Sequence, residues 1–199
     1  MNEPSVQFDR VFADDPDPWR FRTRWYEARK RALTVAVLLE RRYASGYEPG
    51  CANGELSAAL AERCDVFLAS DASPKAVALA AARLSTYPHA AVEQRVVPSD
   101  WPSGTFDLVA LSELAYYLPS AELPRLAERT RASLRSGGTV VGCHWRAPIA
   151  GCEASGDEVV EVLHQHLGLF RVSRTIESDF RADVWSDDPR GVSAREGWR

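Results

Sequence analysis

The chain has 199 residues, 45% of them hydrophobic, and a formal net charge of −4. That length predicts one α/β domain with a full hydrophobic core, because two domains sharing it would each be small. The negative charge does not favour general binding to nucleic acid or to an anionic membrane surface. No apolar run approaches the roughly 20 residues needed to span a bilayer.

The cysteines and the N-terminus predict a cytoplasmic protein. The four cysteines show no C-x-x-C spacing, which favours reduced thiols over disulfides or zinc ligands, and we predict no metal site. The first residues, MNEPSVQFDR, lack the apolar stretch of a secretory signal peptide. The expected partner is a small molecule, while the oligomeric state is not indicated.

The N-terminal part is predicted to be a loop followed by a basic helix. Residues 1–18 carry the proline-broken acidic run DDPDP, which predicts loop structure. Residues 19–43 show a helical pattern, with Leu33, Val37 and Leu38 spaced for one face, and Trp25 and Tyr26 are expected to pack this helix on the sheet. We predict that residues 1–45 form a helical lid on a core of residues 46–199, although a solvated basic face is the alternative.

Beyond this segment, short apolar runs alternate with helical ones, which predicts a mostly parallel sheet with helices on both faces. The predicted strands are residues 47–49, 66–69, 91–97, 106–111, 139–142, 170–176 and 180–185. The predicted helices are residues 56–64, 73–84, 121–134 and 156–167. Gly137 and Gly138 are predicted to turn into the fifth strand.

Polar or glycine residues follow five of the predicted strands, whereas the strands themselves are apolar. In such sheets, ligands bind at the carboxyl ends of the strands, near the point where the strand order reverses. These ends are residues 50–54, Asp71, Asp100-Trp101, Ser112-Glu113 and His144-Trp145. We therefore predict one ligand site built from these five positions.

The loop YEPGCANGEL (residues 47–56) resembles a nucleotide-binding turn but has Ala52 where the motif G-x-G-x-x-G places its second glycine. The Ala52 methyl group would obstruct a pyrophosphate, and S-adenosylmethionine has no pyrophosphate. Asp71 follows Gly54 by 17 residues, where a carboxylate can accept both ribose hydroxyls. The loop therefore favours S-adenosylmethionine over NAD.

Other strand ends and the lid supply the remaining predicted cofactor contacts. Asp100 is expected to accept from the adenine amino group, and Trp101 to cover the ring. Glu48 and the backbone around Gly50 are expected to hold the ammonium of the methionine tail, and Arg24 its carboxylate. The full predicted set is Trp19, Arg24, Glu48, Gly50, Cys51, Ala52, Gly54, Asp71, Ala72, Asp100, Trp101 and Ser112.

Glu113 and His144 are the candidate general bases, because they follow the fourth and fifth predicted strands and an acceptor that carries a proton must lose it to be methylated. Tyr116, Tyr117 and Trp145 are expected to bind the acceptor, since aromatic faces attract cations and stack on sugars. Structural roles remain open: His144 as a core histidine and Glu113 as a carboxylate at a helix start. Asp71 and Asp100 have similar alternatives as a helix cap and a turn residue.

The chain resembles the class I S-adenosylmethionine-dependent methyltransferases, and within them the NodS-like branch of nodulation N-methyltransferases. The segments that carry the resemblance are DPWRFRTRWYEARKRAL, YEPGCANGELSAALAERCD, FDLVALSELAYYL, GCHWR, GDEVVEVL and FRADVW. The resemblance implies a Rossmann-like, seven-stranded sheet whose last strand is antiparallel. It also implies N-methylation of an amine or amino sugar, because the nodulation enzymes methylate the free amine of a deacetylated chitooligosaccharide. Ala52 departs from the family's usual middle glycine.

Four other functions are weighed against this hypothesis. A non-catalytic metabolite-binding module with the same fold and a small-molecule O-methyltransferase both remain open. An NAD-linked reductase is disfavoured by Ala52 and by the position of the only Tyr-x-x-x-Lys pair, Tyr26 and Lys30, ahead of the glycine loop. The absence of an N-P-P-[FYW] tetrapeptide disfavours a nucleic-acid base methyltransferase.

Overall fold

Seven strands form a single sheet in the computed structural model, which describes residues 3–198. They are β1 (Tyr43–Pro49), β2 (Cys64–Asp71), β3 (Ala90–Gln94), β4 (Phe106–Ser112), β5 (Leu134–Trp145), β6 (Phe170–Ile176) and β7 (Phe180–Ser186). Their spatial order is β3-β2-β1-β4-β5-β7-β6. Strands β1 to β5 pair in parallel, and β7 is antiparallel to both of its neighbours. The predicted mostly parallel sheet with an antiparallel last strand is confirmed.

Helices cover the sheet, and several begin at the signals that the sequence contains. They are α1 (Glu3–Asp14), α2 (Trp25–Ala36), α3 (Glu55–Ala61), α4 (Pro74–Arg83), α5 (Leu123–Ser133), α6 (Gly156–Leu167) and α7 (Val192–Arg195). Helix α4 starts with Ser73, whose side chain accepts from the backbone N–H of Ala76. Helix α6 starts with a capping box between Ser155 and Glu158. Within residues 3–198, none of these helices has the length and apolar character to cross a membrane.

The alternation of β4 divides the core between the two faces of the sheet. Val109 and Leu111 pack in one cluster, which includes residues of α5 and α6. Leu108 and Ala110 pack in a second cluster, which includes residues of α3 and α4. Since successive strand residues point to opposite faces, a continuous apolar strand is what burial on both sides requires.

The predicted loop at DDPDP is present over residues 15–18, but the helix that precedes it, α1, was not predicted. Asp9 of α1 accepts hydrogen bonds from the Ser73 hydroxyl (2.9 Å) and the Lys75 backbone N–H (3.1 Å), which joins α1 to the start of α4. The prolines of DDPDP follow this helix instead of disrupting it. Helix α2 likewise begins at Trp25, six residues later than predicted, and Met1 and Asn2 lie outside the described residues.

Several strand boundaries differ from the prediction. Strand β1 begins at Tyr43, so the predicted division between residues 45 and 46 falls inside a strand. Strand β3 ends at Gln94 rather than Val97, which leaves residues 95–99 as a loop. Strand β5 runs through the Gly137-Gly138 pair that was predicted to be a turn.

His144 on β5 is a core residue. Its side chain is fully buried, and neither ring nitrogen has a hydrogen-bond partner within the described chain. Burial lowers the pKa of His144 to about 3, and the nearby charges of Lys30 and Arg181 act in the same direction. The ring is therefore neutral in the folded protein at neutral pH.

This histidine predicts a pH dependence of stability. The unfolded chain binds a proton at His144 below about pH 6.5, whereas the folded protein binds it only near pH 3. The free energy of unfolding should therefore decrease as the pH drops through this window, by up to about 1.4 kcal/mol per pH unit from this one group. Urea unfolding between pH 7 and 4 should show a smaller slope for His144→Leu than for the unsubstituted protein, and equal slopes would contradict this assignment.

Gly54 allows α3 and α4 to approach closely. It has a φ of +82°, and a Cβ atom added to it would lie 2.9 Å from the Cα atom of Ala80 in α4. Contacts of that length with backbone do not occur without movement, so the position requires glycine for packing as well as for conformation.

The substitution Gly54→Ala should destabilise the fold more than Gly137→Ala. Gly137 has a similar φ of +76°, but a Cβ atom added to it would meet no atom within 4 Å, so it shares only the conformational cost of about 1–2 kcal/mol. Overpacking against α4 adds about 1–3 kcal/mol for Gly54→Ala. Thermal and urea unfolding of the two variants would measure the difference, and equal destabilisation would rule out the packing role.

Candidate functional site

A cavity of about 900 Å³ opens at the carboxyl ends of the central strands. Its floor includes Glu48 at the end of β1, Asp71 at the end of β2 and Ser112 at the end of β4. Strands β1 and β4 are neighbours that lead to helices on different faces, so the cavity lies where the strand order reverses. Its volume suits a ligand the size of a nucleoside derivative together with a second small molecule.

The glycine loop forms a close backbone cradle on one side of this cavity. Gly50 has a φ of +74°, and a Cβ atom there would lie 2.9 Å from Leu114 Cδ1. The backbone N–H of Cys51 donates to the Ser70 carbonyl at 2.9 Å, which fixes the loop on β2. Ala52 itself has a φ of +50°, a conformation that glycine adopts at lower cost.

Asp71 connects the glycine loop to the following helix. One carboxylate oxygen accepts from the backbone N–H of Ala52 at 3.0 Å, and the other accepts from that of Ser73 at 2.9 Å. Burial raises the pKa of Asp71, and these backbone donors oppose the rise. Because each carboxylate oxygen can accept more than one hydrogen bond, the group can also accept from a ligand in the cavity.

Glu48 is a buried carboxyl group beside the same loop. The Ser57 hydroxyl donates to its Oε2 atom at 2.5 Å, and the residue is 2% exposed. Burial raises the pKa of Glu48 to about 7, with the Asp71 charge adding to the rise. A cationic ligand group near Glu48 would therefore favour its ionised form.

Aromatic side chains from the N-terminal segment cover the cavity. Phe8 and Phe12 of α1 meet Trp19 with ring centroids 6.4 and 5.6 Å apart, and Phe8 meets Tyr117 edge-on at 4.9 Å. The connection between α1 and α2 is held by Asp17, which accepts from the side chain of the buried Asn53 at 2.9 Å. The cover is thus anchored to the glycine loop.

Glu113 lies just after β4 and carries a carboxylate into the cavity. Its φ of +53° is unusual for a residue with a side chain, and its backbone N–H donates to the Cys143 carbonyl at 2.8 Å. Tyr116 donates to Oε2 of Glu113 at 2.5 Å, and Lys30 Nζ lies 3.4 Å from Oε1. Burial raises the pKa of Glu113, while the charge of Lys30 opposes the rise.

Most of the predicted site residues line this cavity. They are Trp19, Arg24, Glu48, Gly50, Cys51, Ala52, Asp71, Ala72, Ser112, Glu113, Tyr116, Tyr117 and Trp145. Arg24 is exposed at the rim. The carboxyl ends of the strands therefore bring together side chains from distant parts of the chain.

Four predicted residues do not line the cavity. Gly54 packs against α4, and His144 is in the core, because Trp145 faces the cavity and neighbouring strand residues point to opposite faces. Asp100 is six residues beyond the end of β3 and pairs with Arg95 at 2.8 Å. Trp101 packs edge-on against Tyr47 at 5.1 Å. The structure therefore does not bring these four residues to the cavity wall with the other predicted site residues.

Sequence reasoning missed a polar face of α2 that lines the cavity. It comprises Tyr26, Glu27, Lys30 and Thr34, whose spacing of three, four and seven or eight residues is that of one helix face. Tyr26 packs on Trp145 and Phe180 as expected, but Trp25 is 76% exposed. The sequence does contain a signal for this face, because Lys30 follows Glu27 by three residues and Tyr26 by four, which places all three on one side of a helix.

The residues present fit S-adenosylmethionine. The close approach at Gly50 leaves room for backbone contact, Asp71 offers buried acceptor oxygens for ribose hydroxyls, and Glu48 offers a carboxyl group for a cation. Arg24 and Trp19 lie on the covering side. The donors and acceptors of this wall thus match the polar groups of that cofactor.

Comparisons with known proteins agree with this fit. A family model described as a methyltransferase domain matches residues 47–138. The chain is 47% identical to a candidate methyltransferase from Pseudomonas syringae, covering 82% of this chain and 99% of that one, with a TM-score of 0.74. It is 28% identical over 120 residues to nodulation protein S from Rhizobium tropici, a match that spans 60% of this chain and only half of that protein.

A further solved structure has the same fold. The N-methyltransferase NodS from Bradyrhizobium japonicum WM9, in complex with S-adenosyl-L-homocysteine, matches with a TM-score of 0.82 over 92% of this chain and 98% of that one, at 23% identity. The family resemblance seen in the sequence motifs is confirmed. The chain belongs to the class I S-adenosylmethionine-dependent methyltransferases and is similar to their NodS-like branch.

Proposed function

We propose that the protein N-methylates a small amine or an amino sugar, such as a chitooligosaccharide with a free amine. The observation that carries this proposal is a pair of buried polar atoms with unused hydrogen-bonding capacity. Tyr26 Oη has no hydrogen-bond partner in the described chain, and Glu113 Oε1 has there only the ion pair with Lys30 at 3.4 Å. Both residues line the cavity. Buried polar atoms are ordinarily hydrogen-bonded, and an acceptor amine could donate to both of these.

The cofactor would occupy the half of the cavity around the glycine loop. We propose that Asp71 binds the ribose hydroxyls, that Glu48 and the backbone near Gly50 bind the ammonium, and that Arg24 binds the carboxylate. The other proposed contacts are Trp19, Cys51, Ala52, Ala72 and Ser112. When bound, S-adenosylmethionine supplies an electrophilic methyl group on a sulfonium, whose C–S bonding pair remains on sulfur after transfer.

Glu113 is the proposed base, because an amine is protonated at neutral pH and must lose a proton before it can attack. The proton moves from the acceptor nitrogen to Glu113 Oε1, and the freed lone pair forms the new N–C bond. Tyr116 holds the other carboxylate oxygen through its hydroxyl at 2.5 Å. The carboxylic acid then returns its proton to solvent.

The charge and the aromatic surroundings support an amine acceptor. Glu27, Lys30 and Glu113 together carry one positive and two negative charges at this end of the cavity, so a cationic acceptor would balance them. Tyr117 and Trp145 offer faces on which a cation or a sugar ring can rest.

We also propose that the N-terminal segment acts as a lid. Its aromatic residues Phe8, Phe12 and Trp19 lie over the cavity, and excluding water strengthens the electrostatic interactions inside.

A cytoplasmic location is proposed as well, supported by the scattered spacing of the four cysteines.

A methyl-transfer assay tests the proposed function. The protein would be incubated with methyl-¹³C S-adenosylmethionine and with pairs of acceptors that differ in one group, such as glucosamine with glucose, or deacetylated with fully acetylated chitooligosaccharides. NMR should detect new N-methyl signals only with the free amines. Transfer to hydroxyl groups alone would favour the O-methyltransferase alternative, and binding of S-adenosylmethionine without any transfer in a broad screen would favour the non-catalytic module.

Asp71→Asn should weaken the binding of S-adenosylhomocysteine about 10- to 100-fold, because hydrogen bonds to a charged group contribute about 1.5–3 kcal/mol. Calorimetric titration measures the affinity, and thermal unfolding checks the fold. Asp65→Asn is the matched control, since Asp65 lies on the same strand but is exposed and paired with Arg42. Equal affinities in both variants would contradict the assigned ribose site.

Glu113→Gln should lower turnover of an amine acceptor about 10²- to 10⁴-fold, the typical contribution of a general base, and leave the affinity for S-adenosylhomocysteine unchanged. In the unsubstituted protein, turnover should fall as the pH drops through the raised pKa of Glu113, because only the carboxylate accepts a proton. Glu128→Gln, an exposed change on α5, is the control. Full activity in Glu113→Gln would show that another group is the base.

A further inference from the structure

Lys30 is buried on α2, where a lysine carries a high desolvation cost. The side chain is 8% exposed. Lysine is also rare in this chain, which has two lysines among its 24 lysine and arginine residues. Helix α2 buries three polar side chains on the face that meets the cavity, namely Glu27, Lys30 and Thr34. A charge in such a place persists only when other groups stabilise it.

Two carboxylates and one aromatic ring surround the Lys30 ammonium. Nζ lies 3.1 Å from Glu27 Oε2 and 3.4 Å from Glu113 Oε1, and it sits 5.1 Å from the centroid of the Tyr26 ring. These carboxylates raise the pKa of Lys30 against the effect of burial. Lys30 is therefore a fixed positive charge between two acids.

Groups from three parts of the fold face Glu113, and few of them are charged. Helix α2 contributes Lys30, Glu27 and Tyr26; the turn after β4 contributes Tyr116 and Tyr117; β5 contributes Cys143. Burial raises the pKa of each of these tyrosines and of Cys143, so they are neutral near pH 7. The charges that act on Glu113 from this set are those of Lys30 and Glu27.

We infer that Lys30 is a positioning residue for the proposed base: its ammonium, fixed between Glu27 and Glu113, keeps the Glu113 carboxylate ionised and its Oε1 atom at the cavity wall. This inference rests on the proposed function of Glu113. Lys30 does not take the acceptor's proton itself, since its ammonium already holds three. It acts through Glu113.

Without Lys30, Glu27 and Glu113 would be two neighbouring buried carboxyl groups with no cation between them. Like charges in one site raise the pKa of one member strongly, so Glu113 would hold a proton over a wider pH range. A protonated Glu113 cannot accept the proton that leaves the acceptor nitrogen. Lys30 thereby sets the lowest pH at which the proposed reaction proceeds.

The ionisation of Glu113 can be measured without any acceptor. Carbon-detected NMR of glutamate-labelled protein, saturated with S-adenosylhomocysteine, would follow the side-chain carboxyl signal of Glu113 with pH. The Glu113→Gln spectrum would assign that signal. Lys30→Met should raise the pKa of Glu113 by at least about one pH unit, the lower end of the effect of a close opposite charge. Glu27→Gln should shift it in the opposite direction.

Two further variants separate charge from packing. Thr34→Val changes a neutral neighbour on the same helix face, whose hydroxyl donates to the Lys30 carbonyl at 2.9 Å, and it should leave the titration unchanged. If Lys30→Met does not fold, the double variant Lys30→Met with Glu27→Gln removes both charges. Its Glu113 pKa should still exceed that of the unsubstituted protein, because Lys30 acts on Glu113 more strongly than Glu27 does.

An unchanged Glu113 titration in Lys30→Met, or in the double variant, would overturn the inference. The titration of Glu113 and the methyl-transfer assay can fail separately, so the two proposals can be told apart. If Lys30→Met shifts the titration but no amine is methylated by the unsubstituted protein, the electrostatic role of Lys30 stands and the amine acceptor is wrong. If amines are methylated and the titration does not shift, Lys30 has no such role.

Discussion

The site depends on one carboxylate, that of Asp71, which holds the glycine loop and the start of α4 in place. It accepts from the backbone N–H groups of Ala52 and Ser73, and the neighbouring Ser70 carbonyl accepts from that of Cys51. These bonds stabilise Ala52 in a left-handed conformation that costs an alanine about 1–2 kcal/mol. The loop can therefore keep the shape of a glycine-rich turn although its middle position carries a methyl group.

The opposite wall of the cavity is organised by charge. Burying Lys30 with Glu27 and Glu113 is costly unless the groups pair closely, and the observed distances of 3.1 and 3.4 Å meet that condition. The unusual backbone conformation of Glu113 is a second cost at the same place. Strained backbone and buried charge often occur together at functional sites, and here both bring one carboxylate to the cavity. Under the proposed function, one wall of the cavity binds the nucleoside and the other accepts a proton.

The sequence predicted correctly a helix whose two ends are fixed by residues close to it in the chain. Helix α6 matches the predicted residues 156–167 because its capping box and the left-handed Gly168 mark both ends. Helix α1 was missed because its position depends on tertiary contacts, such as the bonds from Asp9 to the start of α4. In the sequence, the clearest local signal near this segment is the pair of prolines after the helix, Pro16 and Pro18, which indicates a loop.

Predicted site residues line the cavity where the end of a strand was predicted correctly, and they lie outside it where side-chain direction or strand length decides the position. Asp71 and Glu113 lie at the ends of apolar strands and line the cavity. His144 follows the same rule, but the alternation of β5 turns it into the core. Asp100 lies outside the cavity wall, because β3 ends early at Gln94. The polar face of α2 was not predicted, because the pairing of Lys30 with Glu113 joins residues that are distant in the chain.

The most direct test of this account is a crystal structure of the protein with S-adenosylhomocysteine and a bound amine. The account predicts both ribose hydroxyls within hydrogen-bond distance of the Asp71 carboxylate, with its bond to Ala52 retained. It also predicts the amine nitrogen within hydrogen-bond distance of Glu113 Oε1. An adenosyl group bound away from Asp71, or an amine that does not contact Glu113, would contradict it.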